Sequence, residues 1–295
     1  MTHIPVLLKE TIEILDPKPG EFFIDGTVGS GGHSTEIIKR ISPNGIFLGI
    51  DWDKKAVEKS EIELKAISYK LKSFLLVHGN YADLPKILKK QKLPKADGLF
   101  LDLGYSSTQI DSSGRGFSFM KNEPLNMRYD NKNTETAGEI VNQFSEKDLA
   151  DIIFKYGEER FSRQIAKKIV EERKKKRILT TFDLVEIIKK AVPKSYERGR
   201  IHPATRTFQA LRIYANNELE NLKNLLKNID KIVEKGKVAI ISFHSLEDRI
   251  VKNCFRNMAK EGNAKILIKK LITPTYEEIK QNPRSRSAKL RAIQL

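Results

Sequence analysis

The chain has 295 residues, 39% of them hydrophobic, and 54 Lys and Arg against 38 Asp and Glu give it a formal net charge of +16. That length suits one large α/β domain or two smaller ones, and no apolar run approaches the roughly 20 residues of a membrane span. The single cysteine, Cys254, excludes internal disulfides and Cys-based zinc clusters.

The opening Met1-Thr-His-Ile-Pro-Val6 lacks the regions of a signal peptide, so a reduced, cytoplasmic protein is expected. The first predicted strand is Phe22–Ile24. It runs into Asp25-Gly-Thr-Val-Gly-Ser-Gly-Gly-His33, which opens a helical pattern of Ser34, Ile37, Ile38 and Ile41. A second strand, Ile46–Ile50, ends in Asp51. Strand, glycine turn, helix and acid-tipped strand form the nucleotide-binding half of a doubly wound α/β fold, in which the acid accepts ribose hydroxyls.

Three ligands compete for that loop. A dinucleotide fingerprint needs G-x-G-x-x-G, but Gly29-Ser-Gly31 is followed by Gly32-His33-Ser34, without the third glycine. A P-loop counted from Gly26 reaches Gly31 but then meets Gly32, so no lysine is placed for a phosphate. S-adenosylmethionine (SAM) shares the adenosine half and brings no pyrophosphate, and Asp25 suits its cationic end. SAM fits best, with a ligand-free glycine turn as the plain alternative.

Beyond Asp51 the pattern continues through a helix (52–72), the strand Phe74–Val77, His78-Gly-Asn-Tyr81, a short helix near 84–88 and the strand Gly98–Leu101, tipped by Asp102. The next strong strand is Lys237–Ser242. The residues between are mostly helical: Ser145 to Asp148 resembles a capping box, and Thr181 is placed to cap a helix that Pro193 stops. From Phe208 a three-four apolar spacing predicts one long helix leading back to the sheet. The expected organisation is a first methyltransferase-type segment over 1–111, an inserted helical domain over 112–207, and a second sheet segment over 208–295. A helix from Leu246 to Phe255, a strand over Ile266–Ile272 and a final strand over Lys289–Leu295 close it, the last two as a hairpin.

The positive charge is local. Residues 160–212 hold 16 basic and 5 acidic side chains, net +11, whereas residues 112–159 hold 6 and 9, net −3. A lysine-rich surface of the kind seen in thermophiles accounts for the scattered charge but not for this imbalance, which points to a polyanionic partner.

These residues together resemble the RsmH (MraW) methyltransferases of bacteria. The resemblance rests on His3–Val6, Asp25–Ser34, Leu101-Asp-Leu-Gly-Tyr-Ser-Ser-Thr-Gln109, Arg115–Phe119 and Pro124–Arg128. It continues through Tyr156–Phe161, His202–Ala210, Ile241–Arg249 and Asn282–Ser287. Asn126 departs from the family's Asp, and the tail Leu290–Leu295 lacks its Ala-Glu-Arg ending. The resemblance implies a class I SAM-dependent methyltransferase domain, a Rossmann-like doubly wound sheet, with a helical insertion. It also implies methylation of N4 of a decoding-centre cytidine in small-subunit (16S) ribosomal RNA.

It further implies SAM contacts at Gly31, Gly32, His33, Asp51, Tyr81, Asp102 and Gln109. Asp51 takes the ribose, Tyr81 flanks the adenine, and Asp102 lies beside the methyl donor, while His33 need offer only its backbone amide. Asp102 and Ser106 are the candidates for orienting the amine, since Asp102-Leu-Gly-Tyr-Ser106 stands where many amino-methyltransferases have a proline-bearing loop. Arg115, Phe117, His202 and Arg206 are the candidate RNA-facing groups, by phosphate contact and stacking. Their plain alternative is packing within the protein. His244 is placed either toward the site or as a packed strand-end residue. Cys254 follows no Pro-Cys motif and reads as a small buried hydrophobe, against carbon-5 chemistry. Five histidines without ligand spacing give no expected metal. The expected partner is small-subunit RNA or the subunit itself, with no membrane, and the oligomeric state is not legible. A small-molecule methyltransferase would not need the basic insertion, and a SAM-sensing RNA-binding protein would not need a polar fourth strand tip.

Overall fold

A computed structural model of the chain describes residues 4–104, 114–130, 135–197 and 201–295. It divides into two compact units, Met1–Ser106 with Leu219–Leu295, and Ser107–Glu218. By this division the sheet unit resumes at 219, whereas the sequence expectation placed the return at 208.

The sheet unit begins with α1 (Leu8–Leu15), β1 (Phe22–Asp25), α2 (Gly32–Ile41), β2 (Ile46–Asp51) and α3 (Lys54–Ile67). It continues with β3 (Ser73–His78), α4 (Leu84–Gln91) and β4 (Ala96–Asp102). Residues in β1, β2 and β4 alternate between two cores. Phe22, Ile24, Leu48, Ile50, Leu99 and Leu101 join one apolar cluster, and Phe23, Phe47 and Phe100 join another. A strand covered on both faces reads as a continuous apolar run, which is why FFID and LFLD announce themselves so clearly. The Asp53 side chain accepts from Lys55 N–H and starts α3.

The inserted unit holds α5 (Ala137–Gln143), α6 (Glu146–Gly157), α7 (Ser162–Arg173), α8 (Thr181–Ala191), the single turn α9 (Lys194–Glu197) and α10 (Ala204–Ala215). Thr136 with Glu139 and Thr180 with Asp183 form reciprocal capping boxes. The cap of α8 is thus Thr180, one residue before the expected Thr181, whose buried hydroxyl instead donates to the Lys121 carbonyl at 2.5 Å. Ser145 caps α6 through Asp148 N–H, as expected. Leu149, Ile153, Ile165, Ala166, Ile169, Leu184, Ile188 and Leu211 fill this unit's own core.

The long helix expected from Phe208 is two helices, α10 and α11 (Glu218–Lys227). Asn217 between them has φ 50°, and buried Asn216 turns its amide onto the Met127 carbonyl at 2.7 Å while accepting from Tyr129 N–H at 2.9 Å. Apolar spacing runs through the break because both helices bury a face; only the two asparagines betray it.

The chain then forms β5 (Val233–Ser242), α12 (Ser245–Lys260), β6 (Lys265–Ile266), α13 (Tyr276–Gln281) and β7 (Lys289–Gln294). The seven strands are ordered β3-β2-β1-β4-β5-β7-β6. β1 to β5 are parallel, and β7 is antiparallel to both β5 and β6. This is the class I methyltransferase arrangement, with the order reversing between β1 and β4. The strand expected over 266–272 is shorter: two residues pair, and Ile272 adds a lone bridge to Leu290.

Candidate active site

The reversal point gathers the tips of β1, β2 and β4, each ending in an aspartate. Asp25 is buried at 1% exposure; its carboxylate accepts from Ser34 Oγ at 2.6 Å and from Thr27 N–H at 3.0 Å. Asp51 accepts from Gly29 N–H and from Asp53 N–H, both at 2.8 Å. Asp102 accepts from Gly104 N–H at 2.9 Å, and its own N–H donates to Thr27 Oγ1 at 2.6 Å. Thr27 thus ties the first and fourth strand tips together, and Asp51 fixes the glycine loop to the second.

The glycines are there for shape. Gly29 and Gly31 have φ 53° and 78°, values that L side chains rarely adopt. A Cβ on Gly32 would lie 2.3 Å from Pro5 Cγ, so the amino-terminal segment closes over the start of α2.

Burial raises all three aspartates. Asp25 and Asp51 are each pushed up to about 6, against the ordinary 3.8, with the Asp51 charge adding to the rise of Asp25. Asp102 is pushed up to about 7, chiefly by burial and further by the charges of Asp25 and Glu247. Mutually repelling carboxyls with no basic side chain hydrogen-bonded to them among the described residues form a well of negative potential, which a cation relieves.

That donor set fits SAM. Its sulfonium and ammonium are cationic, its ribose offers hydroxyls to an acid at the β2 tip, and it has no phosphate for the acids to repel. Tyr81, half-buried, opens the turn after β3, and its Cβ would lie 3.3 Å from a Cβ on Gly26, against the glycine loop. Gly31, Gly32, Asp51, Tyr81 and Asp102 therefore converge on one edge of the sheet. The His33 ring does not join them: its Nε2 lies 3.0 Å from the Val6 carbonyl and its face 4.4 Å from Phe100, so only its main chain remains for a ligand. Ser106 and Gln109 lie outside the described residues.

Sequence reasoning passed over Thr27, Ser34 and Glu247. Glu247 is buried at 4%; it accepts from Phe243 N–H at 2.9 Å and lies 3.1 Å from His244 Nε2. His244 is the cap of α12, taking Glu247 N–H on Nδ1 at 3.4 Å, the packed strand-end alternative. A His followed three residues later by Glu at a strand-to-helix junction is a capping pattern and would have located the pair.

In the inserted unit, Arg115 donates to the carbonyls of Arg128 (3.2 Å) and Tyr129 (3.0 Å), and Phe117 stacks on Tyr129 at 5.3 Å. His202 stacks on Phe119 at 4.7 Å, and Arg206 donates to the Glu158 carbonyl at 3.1 Å. The four expected RNA-facing residues thus have partners within their own unit.

With this geometry in place, comparison with known proteins decides the family. The MraW methylase family matches residues 1–295. The chain belongs to that family. A protein of Persephonella marina named ribosomal RNA small subunit methyltransferase H is 46% identical over 290 residues, covering 98% of this chain and 97% of its own. One of the same name from Syntrophobacter fumaroxidans is 42% identical over 310 residues, covering 100% and 96%. Another from Mycoplasma mycoides subsp. mycoides is 44% identical over 309 residues, covering 99% and 98%. As a methylase of this fold, the chain uses SAM as its methyl donor.

Proposed function

We propose that the chain transfers a methyl group from SAM to N4 of a decoding-centre cytidine in small-subunit (16S) ribosomal RNA. Its relatives are ribosomal RNA small subunit methyltransferases, which supports the RNA; the observation that carries the chemistry is the place of Asp102 at the β4 tip, tied by its N–H to Thr27 of the glycine loop, with burial raising its carboxyl to about 7. When bound, SAM supplies an electrophilic methyl group on a sulfonium. Asp51 takes the ribose hydroxyls, Gly31, Gly32 and the His33 main chain shape the loop around the ligand, and Tyr81 flanks the adenine.

The exocyclic amine of cytosine is a poor nucleophile, because its lone pair is delocalised into the ring. The protein must hold that nitrogen in line and accept hydrogen bonds from it, which draws the lone pair out of conjugation. As the nitrogen gains a methyl group it loses a proton, and a carboxylate of pKa near 7 is matched to take it at neutral pH. Asp102 fills that role, with Ser106 and Gln109 as its neighbours in sequence. No covalent adduct is required, and Cys254, half-buried within α12 with its thiol pushed up by burial, is not activated for one. Arg115, Phe117, His202 and Arg206, although each has a partner within the inserted unit, are the residues there proposed to face the RNA. The protein acts in the cytoplasm, and among the described residues no helix is long and apolar enough to cross a membrane.

Tritium transfer from labelled SAM to purified small subunits, followed by nucleoside analysis, tests this directly. N4-methylcytidine is expected; label on carbon 5 or on a ribose would overturn the acceptor.

A further inference from the structure

The inserted unit contains a cavity of about 330 Å³ that none of the roles above uses. It lies where the end of α7 passes through Lys174–Arg177 into α8. The segment around residue 122 forms another wall, tied down by Glu123 N–H to Thr181 Oγ1 (3.1 Å), Leu125 N–H to the Leu179 carbonyl (3.1 Å) and a bridge between Pro124 and Thr180.

Its lining is of two kinds. Phe182 contributes an aromatic ring left 45% exposed. Lys175, Lys176, Arg177 and Lys190 contribute cations, and Asn122 an amide that both donates and accepts. Three acids also line it, but each is already engaged. Glu172 holds Lys168 (3.1 Å) and Lys175 (3.0 Å), and Glu186 holds Lys189 (3.0 Å). Asp183 caps α8, accepting from the Leu179 and Thr180 N–H groups. Among the described residues neither Arg177 nor Lys190 is within salt-bridge distance of an acid, although Arg177 lies close enough to Glu139 to help hold that carboxyl low.

An exposed aromatic in a nucleoside-sized cavity, rimmed by four cations of which Lys175 and Lys176 are ion-paired, with an amide on the wall, is a combination that suits single-stranded nucleic acid. The ring stacks on a base, the amide meets its polar edge, and the cations meet the flanking phosphates. An acidic peptide would use the cations but not the ring.

We infer that this cavity, bounded by Asn122, Arg177, Phe182 and Lys190, holds one unpaired nucleotide of the substrate RNA, apart from the cytidine that is methylated. This rests on the RNA reading above and adds a second anchoring point to it. The site lies wholly within the inserted unit, so it contributes to RNA capture and not to SAM binding.

The test uses the full chain and purified small subunits. Phe182→Ala should raise KM for the subunit about tenfold, the scale of one lost base stack, while Phe182→Trp restores it and Phe182→Leu does not. Arg177→Glu with Lys190→Glu should weaken subunit binding at least as much and flatten its salt dependence. SAM affinity by calorimetry and kcat at saturating subunit should stay unchanged in every variant. Ultraviolet crosslinking of the wild-type complex should join Phe182 or a neighbour to a ribonucleotide outside the methylated position. KM within twofold of wild type in both sets, rescue by Leu as good as by Trp, or a crosslink from this cavity to a ribosomal protein would each overturn the inference. Failure of the RNA reading itself looks different, because the wild-type chain would then neither bind nor methylate the subunit.

Discussion

The Gly29 amide donates to Asp51 Oδ2 at 2.8 Å, joining the glycine loop after β1 to the tip of β2. One acid therefore does two things: it fixes the loop and presents its remaining lone pairs to a ribose. Mutation at this position has to be judged on both.

Asp51→Ala is expected to weaken SAM binding by about 1.5–3 kcal/mol, the range for hydrogen bonds to a charged group. Loss of the Gly29 anchor should add to that in the loop's amide exchange, measurable without ligand. Calorimetry showing unchanged affinity would remove Asp51 from the site.

SAM affinity should rise with pH between about 5.5 and 8. Asp25 and Asp51 sit at about 6 and Asp102 at about 7, so below these values they are protonated and offer no negative charge to the sulfonium. Binding of the cation should expel protons, visible in calorimetry as a heat that depends on the buffer's ionisation enthalpy. The demethylated product, which lacks the sulfonium charge, should show a weaker dependence. Equal pH profiles for donor and product would falsify the electrostatic account.

The same shifts bear on stability with a definite sign. A carboxyl whose folded value lies above its unfolded 3.8 stabilises the fold fully only below that value, and the benefit is lost as pH rises through the folded one. Asp102→Asn should therefore raise the melting temperature of the ligand-free protein at pH 8 by about 2–4 °C, for about 1 kcal/mol. The gain should shrink as pH falls below about 7 and vanish only near pH 4, and activity should be lost throughout. Thermal melts at the two pH values decide the matter, and a variant less stable at pH 8 would reverse the argument.

The fold was legible wherever its signal is local. FFID and LFLD are strands by composition alone, and the failed glycine counts around Gly29 favoured SAM over pyrophosphate ligands from the sequence itself. The acids at 51 and 102 followed from the strand ends. What could not be seen depends on partners distant in the chain. Thr27 meets Asp102 across β1 and β4, Glu247 reaches Asp102 only by its charge, and the His33 ring is occupied by Val6. The break at Asn216 was hidden because the apolar spacing continues through it. Ile266 to Ile272 looked like a strand because its apolar residues are those of one, yet the ladder with β7 covers only Lys265 and Ile266, with a lone bridge at Ile272.

Cys254→Ala should keep near-full turnover. The side chain is half-buried, with its sulfur 3.9 Å from Met258 Sδ, so the change removes a small apolar contact and no reactive thiolate. A well-folded variant without activity would require a nucleophilic mechanism.

Binding to small subunits should fall steeply with salt, because the net +11 of residues 160–212 displaces counterions from phosphates. Reversing Arg198 and Arg200, which lie outside the described residues, should lower the slope of log K against log salt by roughly 3, about 0.7–0.9 for each unit of charge removed. A slope equal to wild type would move the RNA surface elsewhere, to the basic segment from Arg284 to Arg291.

The pairing of β4 with β5 has a consequence for how the protein is made. These strands lie side by side at the centre of the sheet, yet the whole inserted unit is encoded between them. β7, which pairs with β5 on the far side, is translated later than β5 and β6. During synthesis the exit tunnel releases β1 to β4 first, leaving β4 as a bare sheet edge until the insertion has emerged. Such an edge is a template for unwanted pairing. An insertion that folds quickly on its own helical core shortens the delay by drawing in the chain between the two strands, and it is predominantly local-contact helix, the architecture that folds fastest. Substitutions in that core, such as at Ile165 or Leu211, should then lower soluble yield by prolonging the life of the unpaired edge, even though neither residue belongs to the sheet.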